Sequence, residues 1–208
     1  MEKLLNEDVQ KMLKDILVEM KDDVHVKLYV DSMDCDTCTE SHQLMSEISE
    51  LNDKIHYELI EGKNDEITSY PMITILDKDQ KDKGVYFKGI PAGHEINAFL
   101  SALIDVSGKP LDLDEETIKR IKAIDKPTNI KVFVTLSCPH CSGAVSKAHR
   151  IAMLNENVQA EMIEAQTFHD LSNKYQVSSV PKIVINDEDD FVGNQPLNTF
   201  LEMIESAA

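Results

Sequence analysis

No apolar stretch in these 208 residues approaches the ~20 that a bilayer-spanning helix needs, so the chain does not read as a membrane protein. Basic residues are scarce: 21 Lys and Arg stand against 38 Asp and Glu, a formal net charge of −17. That excess opposes docking on phosphate backbones or anionic lipid, so neither nucleic acid nor a membrane is expected as a partner. The phosphate-cradling pattern Gly-x-Gly-x-x-Gly is absent, and with it any expectation of a dinucleotide held by this chain. No basic stretch followed by an apolar core opens the sequence, which begins with the charged, amphipathic Met-Glu-Lys-Leu-Leu-Asn-Glu-Asp; a cytoplasmic protein is the expectation. Low-complexity segments are lacking too. Thiols are few, only four, and a reducing compartment gives paired cysteines catalytic or metal-binding work rather than a structural framework.

All four fall in two Cys-x-x-Cys pairs, Cys35/Cys38 and Cys138/Cys141, and each pair sits in the same context. The β-branched run Val24–Val30 precedes Cys35-Asp-Thr-Cys38, and a helical Glu40–Leu51 follows. Ile130–Val134 precedes Cys138-Pro-His-Cys141, and a helical Ala144–Leu154 follows. The repeat extends further: Phe87-Lys-Gly-Ile-Pro-Ala-Gly-His-Glu-Ile-Asn-Ala-Phe-Leu is echoed by Phe191-Val-Gly-Asn-Gln-Pro-Leu-Asn-Thr-Phe-Leu, so each half closes with a strand, a Gly turn and a helix. Val9, Leu13, Ile16, Leu17 and Met20 recur at helical spacing over Asn6–Met20, and Leu113–Ile124 opens the second half with Asp114 as N-cap. With a Gly/Pro connector near Asp105–Leu111, the chain divides into residues 1–107 and 108–208, each of a size to bury its own core. The order helix, strand, Cys pair, helix, strand, helix or loop, Pro, strand, strand, helix predicts an α/β sandwich on a mixed sheet.

A Cys-x-x-Cys pair at a strand-to-helix junction is a redox signature. The spacing predicts Cys138 at the N-cap and Pro139 at the first helical position, where its missing N–H costs nothing. The helix dipole and free backbone N–H groups there favour the thiolate, which is the nucleophile. His140 inside the motif and Lys147, His149 and Arg150 on the following helix add positive charge, with no carboxylate from Pro127 to Asn155. Cys35 and Cys38 lie among Asp31, Asp34, Asp36 and Glu40, which disfavour a thiolate. The second pair is therefore the expected main site, and the first is balanced between catalysis and a structural role. Two pairs also make a Cys₄ set for zinc, although zinc modules place their pairs within ~15–20 residues. A binding scaffold without turnover is the corresponding non-enzymatic alternative.

With Phe133-Val-Thr-Leu-Ser-Cys-Pro-His-Cys and Val180-Pro-Lys-Ile-Val-Ile beside the doubled unit, the chain resembles the glutaredoxin-like protein disulfide oxidoreductases of archaea and some bacteria, in which two thioredoxin folds are joined. It is also similar to the N-terminal domain of the flavoprotein that passes electrons to bacterial alkyl hydroperoxide peroxiredoxins. The resemblance implies two tandem thioredoxin-like folds and a protein dithiol–disulfide oxidoreductase. Cys138 would be the nucleophile, Cys141 the resolving thiol and Pro181 a cis-proline facing the disulfide. Pro71 would do the same for Cys35 and Cys38, with Val180 and Tyr70 offering backbone to a substrate chain. It implies no bound cofactor and no metal, flavin and nicotinamide being carried by a separate thioredoxin-reductase-like donor. Protein disulfides, among them a peroxiredoxin, would be the partners, and a dedicated carrier to one peroxiredoxin is the alternative. The resemblance has gaps. There is no Trp for a Trp-Cys-Gly-Pro-Cys signature, the first motif has no Pro between its cysteines, and His140 replaces the usual Tyr.

Overall fold

The computed structural model describes residues 3–207, so the first two residues of the expected 1–107 unit and the last of 108–208 lie outside the described residues. In chain order the elements are α1 (Glu7–Leu17), β1 (Val24–Val30), α2 (Cys38–Ser49), β2 (Ile55–Glu61), β3 (Met72–Leu76) and β4 (Asp82–Lys88), then a 3₁₀ turn (Gly93–Glu95) leading into α3 (Ile96–Val106). The second half runs α4 (Glu115–Lys122), β5 (Thr128–Val134), α5 (Cys141–Leu154), β6 (Val158–Glu164), α6 (His169–Lys174), β7 (Lys182–Ile185), β8 (Asp189–Val192) and α7 (Leu197–Ser206). Local chemistry sets several of these ends. Asn6 caps α1 by accepting from the Val9 N–H at 2.9 Å, and Asp114 caps α4 by accepting from the Thr117 N–H at 2.8 Å.

All eight strands join one mixed sheet in the order β2-β1-β3-β4-β6-β5-β7-β8. Alternate residues of β1 and β5, Val24, Val26, Leu28 and Val30 and their counterparts Ile130, Val132 and Val134, point into the core. β3 is antiparallel to both β1 and β4, and β7 to both β5 and β8. The other neighbouring pairs are parallel: β1 with β2, β4 with β6, and β5 with β6. Each half thus contributes four strands in the same order, and the halves meet where β4 pairs with β6. β1 and β5 consequently run in the same direction, and their C-terminal ends, where both Cys pairs begin, lie at one end of the sheet. β1 and β5 are four strand spacings apart, about 19 Å at ~4.8 Å each.

That seam is tightly built. α5 packs across β4 and β6, and the His149 ring, buried beneath it, contacts Phe87 edge-on at 4.7 Å with its Nε2 3.2 Å from the Tyr86 carbonyl oxygen. On the opposite face Lys88 and Glu161 form a mostly buried ion pair at 3.0 Å across the two halves. Gly84 of β4 has φ +71°, and a Cβ there would sit 2.5 Å from the Val158 carbonyl oxygen. Gly84→Ala is therefore expected to lower stability by about 1–3 kcal/mol, seen as a lower urea midpoint at unchanged slope. An unshifted midpoint would mean that the seam yields.

Candidate functional site

Both Cys pairs are disulfides, with Cα separations of 5.3 Å for Cys35–Cys38 and 5.6 Å for Cys138–Cys141, inside the range that a disulfide needs. In the first pair Cys35 is partly exposed and Cys38 buried; in the second Cys141 is fully buried and Cys138 retains 8% exposure. The leading sulfur is thus the accessible one at each site, and attack must come through it. The ~19 Å between β1 and β5 separates the pairs. Four sulfurs so placed cannot share one ion, which removes the Cys₄ zinc alternative, and neither disulfide can exchange directly with the other. Among the described residues no group of three or more His, Cys, Asp or Glu is arranged to hold a metal.

The start of α5 differs from the expectation. The helix begins at Cys141 with His140 as its N-cap, and Cys138 precedes it by one turn. The Cys141 N–H reaches the Cys138 carbonyl at 3.5 Å, a three-residue closure, so Pro139 lies in that turn and not in the first position of the helix. The dipole end of α5 still faces the pair. His140 and Pro139 are both exposed, and His140 makes no side-chain cap bond.

The peptides Tyr70–Pro71 and Val180–Pro181 are cis, each directly before an antiparallel strand, β3 and β7, which starts at the same end of the sheet as the Cys pairs. The Val180 carbonyl oxygen lies 3.9 Å from the Cys138 sulfur. The Tyr70 hydroxyl is engaged instead with the preceding loop, accepting from the Asn64 N–H at 2.7 Å. Cys138, Cys141, Val180 and Pro181 therefore form one site, and Cys35, Cys38, Tyr70 and Pro71 stand at the other.

The electrostatic contrast drawn from sequence changes in three respects. Arg150 is bound to Asp105 at 2.8 Å, a carboxylate from the first half that is nearly buried, so its charge is already paired. His149 is completely buried and burial pushes its imidazole down to about 4, so it is neutral. Lys147 bonds Asn194 Oδ1 at 2.5 Å, and partial burial lowers its ammonium from the usual range. At the first site Asp34, Asp36 and Glu40 are exposed, where water attenuates their repulsion of a thiolate. The gap between the two sites is narrower than the sequence implies.

A residue that the sequence window missed comes from the other half. The 3₁₀ turn Gly93–Glu95 docks on the loop leading to Cys138: the His94 N–H donates to the Leu136 carbonyl at 2.9 Å, and Gly93, at φ +57°, lies so close to Leu136 that no Cβ would fit. The turn also packs on α5, whose first residue is Cys141. Glu95 in this turn is fully buried, and neither carboxyl oxygen has a hydrogen-bond partner. Burial pushes its carboxyl up to about 8. In the sequence Glu95 looks like an ordinary acid at a helix start. Only the pairing of β4 with β6 brings it to the second Cys pair.

The thioredoxin domain family matches residues 128–206. The alkyl hydroperoxide reductase flavoprotein component of Pseudomonas aeruginosa, AhpF, is 29% identical over 205 residues, 99% of this chain and 38% of that protein, so the chain spans well under half of this curated relative. Among solved structures, AhpF of Enterococcus faecalis superposes with a TM-score of 0.91 at 27% identity, covering 97% of this chain and 100% of that one. A protein disulfide oxidoreductase from Aeropyrum pernix superposes at 0.89 with 28% identity, covering 98% and 93%.

Proposed function

We propose that this thioredoxin-fold chain, organised as tandem units of residues 1–107 and 108–208, is a thiol–disulfide oxidoreductase acting on protein disulfides through Cys138 and Cys141. The observation that carries the reading is the second pair itself: a disulfide at a helix N-terminus, entered through one sulfur, with a buried and unpartnered carboxyl in the turn docked beside it.

In the reducing direction the Cys138 thiolate attacks one sulfur of a substrate disulfide. That S–S bond breaks, a mixed disulfide forms, and the other substrate sulfur leaves as a thiolate. Glu95, ionised at that moment, takes the Cys141 proton; the Cys141 thiolate attacks the Cys138 sulfur and releases the second substrate thiolate. Two electrons pass from the Cys pair to the substrate, leaving Cys138–Cys141 oxidised. A carboxyl at about 8 suits this work, because it accepts and returns a proton near neutral pH. The Val180 backbone beside Cys138 offers hydrogen bonds to an extended substrate segment.

The likeness to AhpF supports a carrier role, in which a flavin-dependent, thioredoxin-reductase-like donor reduces Cys138–Cys141 and a peroxiredoxin is the acceptor. The flavin and nicotinamide belong to the donor in this reading. Cys141→Ser is expected to accumulate a mixed disulfide on Cys138, because attack survives and resolution does not. Mass spectrometry after incubation with an oxidised substrate protein reads it out, and an adduct on Cys35 would place the reaction at the other pair.

A further inference from the structure

Two hydroxyls at the first Cys pair have no partner in the oxidised protein. Ser41 is fully buried with an unpaired Oγ, and the Thr37 Oγ1 is likewise buried and unpaired. Both adjoin Cys38. Thr37 is its neighbour within the motif, and Ser41 is one turn further along α2, on the same face as Cys38. Thr37 also has φ +64°, a left-handed conformation that is an outlier for a β-branched residue. At the second pair the corresponding positions hold His140, which is exposed, and Ala144, which is buried. Alanine fills the space of Ser41 with nothing to satisfy, so packing in the oxidised state does not account for the serine. Strain and orphaned donors gathered at one sulfur point to another state of that sulfur.

We propose that Thr37 and Ser41 are positioning residues for the reduced first pair, their hydroxyls donating to the Cys38 thiolate. The step that creates the partner is ordinary exchange. An external thiolate attacks the accessible Cys35 sulfur, a bond forms between them, the Cys35–Cys38 bond breaks, and Cys38 leaves carrying the electron pair. Hydroxyls that are orphaned beside a disulfide then become donors to a full negative charge, and charge-assisted bonds are the strong ones. The pair is favoured in its reduced form despite its acidic rim. This gives the first site its own means of holding a thiolate, built from hydroxyls where the second site uses a buried carboxyl. It rests on the reading of the chain as a dithiol–disulfide protein, but its test does not depend on turnover.

The test is the equilibrium of Cys35–Cys38 with glutathione buffers in the full chain carrying Cys138→Ser and Cys141→Ser, so that only one pair reports. Ser41→Ala is expected to lower the equilibrium constant for reduction about tenfold, which for a two-electron couple is a potential ~30 mV more negative. Thr37→Val should act in the same direction, Ser41→Thr should restore part of the loss, and the apparent pKa of Cys38 should rise in the first two variants. Circular dichroism confirms the fold in each. An equilibrium that is unchanged, or moved toward the dithiol, in folded Ser41→Ala and Thr37→Val would overturn the proposal. Failure of turnover at Cys138 with the Ser41 effect intact would overturn only the proposed function.

Discussion

Cys138→Ser is expected to abolish reduction of a protein disulfide, a loss of at least ~10³-fold against wild type, whereas Cys35→Ser retains most of the rate. Serine is nearly isosteric, but at neutral pH its hydroxyl neither ionises nor attacks sulfur, so the mixed disulfide never forms. Cys141 cannot substitute for it, being fully buried behind the leading sulfur. Cys35 cannot either, since the ~19 Å between β1 and β5 keeps the two sites chemically separate. Dithiothreitol-driven reduction of insulin disulfides gives the rate. Equal losses in the two variants would show that both pairs serve one reaction and would end the assignment of Cys138 as the working nucleophile.

The second large effect is expected for Glu95→Gln, with two signatures that a bystander would not give. The amide cannot exchange a proton with Cys141, so turnover should drop by about 100-fold, and the pH–rate profile should lose the limb set by a group near 8. Stability should respond in the opposite sense. The folded-state pKa of Glu95, about 8, lies above the ordinary carboxyl value of 4.5. Below pH 4.5 the group is protonated whether folded or not, and its contribution to stability is fully present. As pH rises through 8 that contribution is lost, on the order of 5 kcal/mol, because the unfolded chain ionises freely and the folded one must bury a charge. Glutamine never ionises, so the variant should gain on wild type as pH climbs from about 5 to about 9 in chemical denaturation. A pH-independent difference between the two proteins would mean that Glu95 is not a buried, unpaired acid.

Much of this was legible in the residues because the chemistry is local. Val24–Val30 and the run ending in Val134 alternate as strands do, Asn6 and Asp114 are capping residues wherever they precede a periodic segment, and a Cys-x-x-Cys pair needs only a strand before it and a helix after it. What could not be read depends on how the halves meet. Arg150 looks like a free cation until Asp105 of the other half is placed against it, and His149 looks like one until the seam buries it. Glu95 is the converse, a residue that sequence assigns to solvent and the seam assigns to an active centre. Helix registration at the second pair was missed for a smaller reason. The turn from Cys138 closes over three residues, so the α-helix starts later than the position of Pro139 suggests.

The pairing of β4 with β6 joins two unlike rims, and a fusion of that kind has no symmetry axis that closes it. The rims left over, β2 at one end and β8 at the other, are an unlike pair of the same sort, so the sheet has the polarity of a growing filament with a vacant place at each end. What limits growth is written on the rims. Glu58 and Glu61 project from β2, and Asp189 and Asp190 fill half of a β8 that is only four residues long. Bringing one molecule's β8 against another's β2 sets acid on acid over a ladder too short to offset it, so the repeat stops at two.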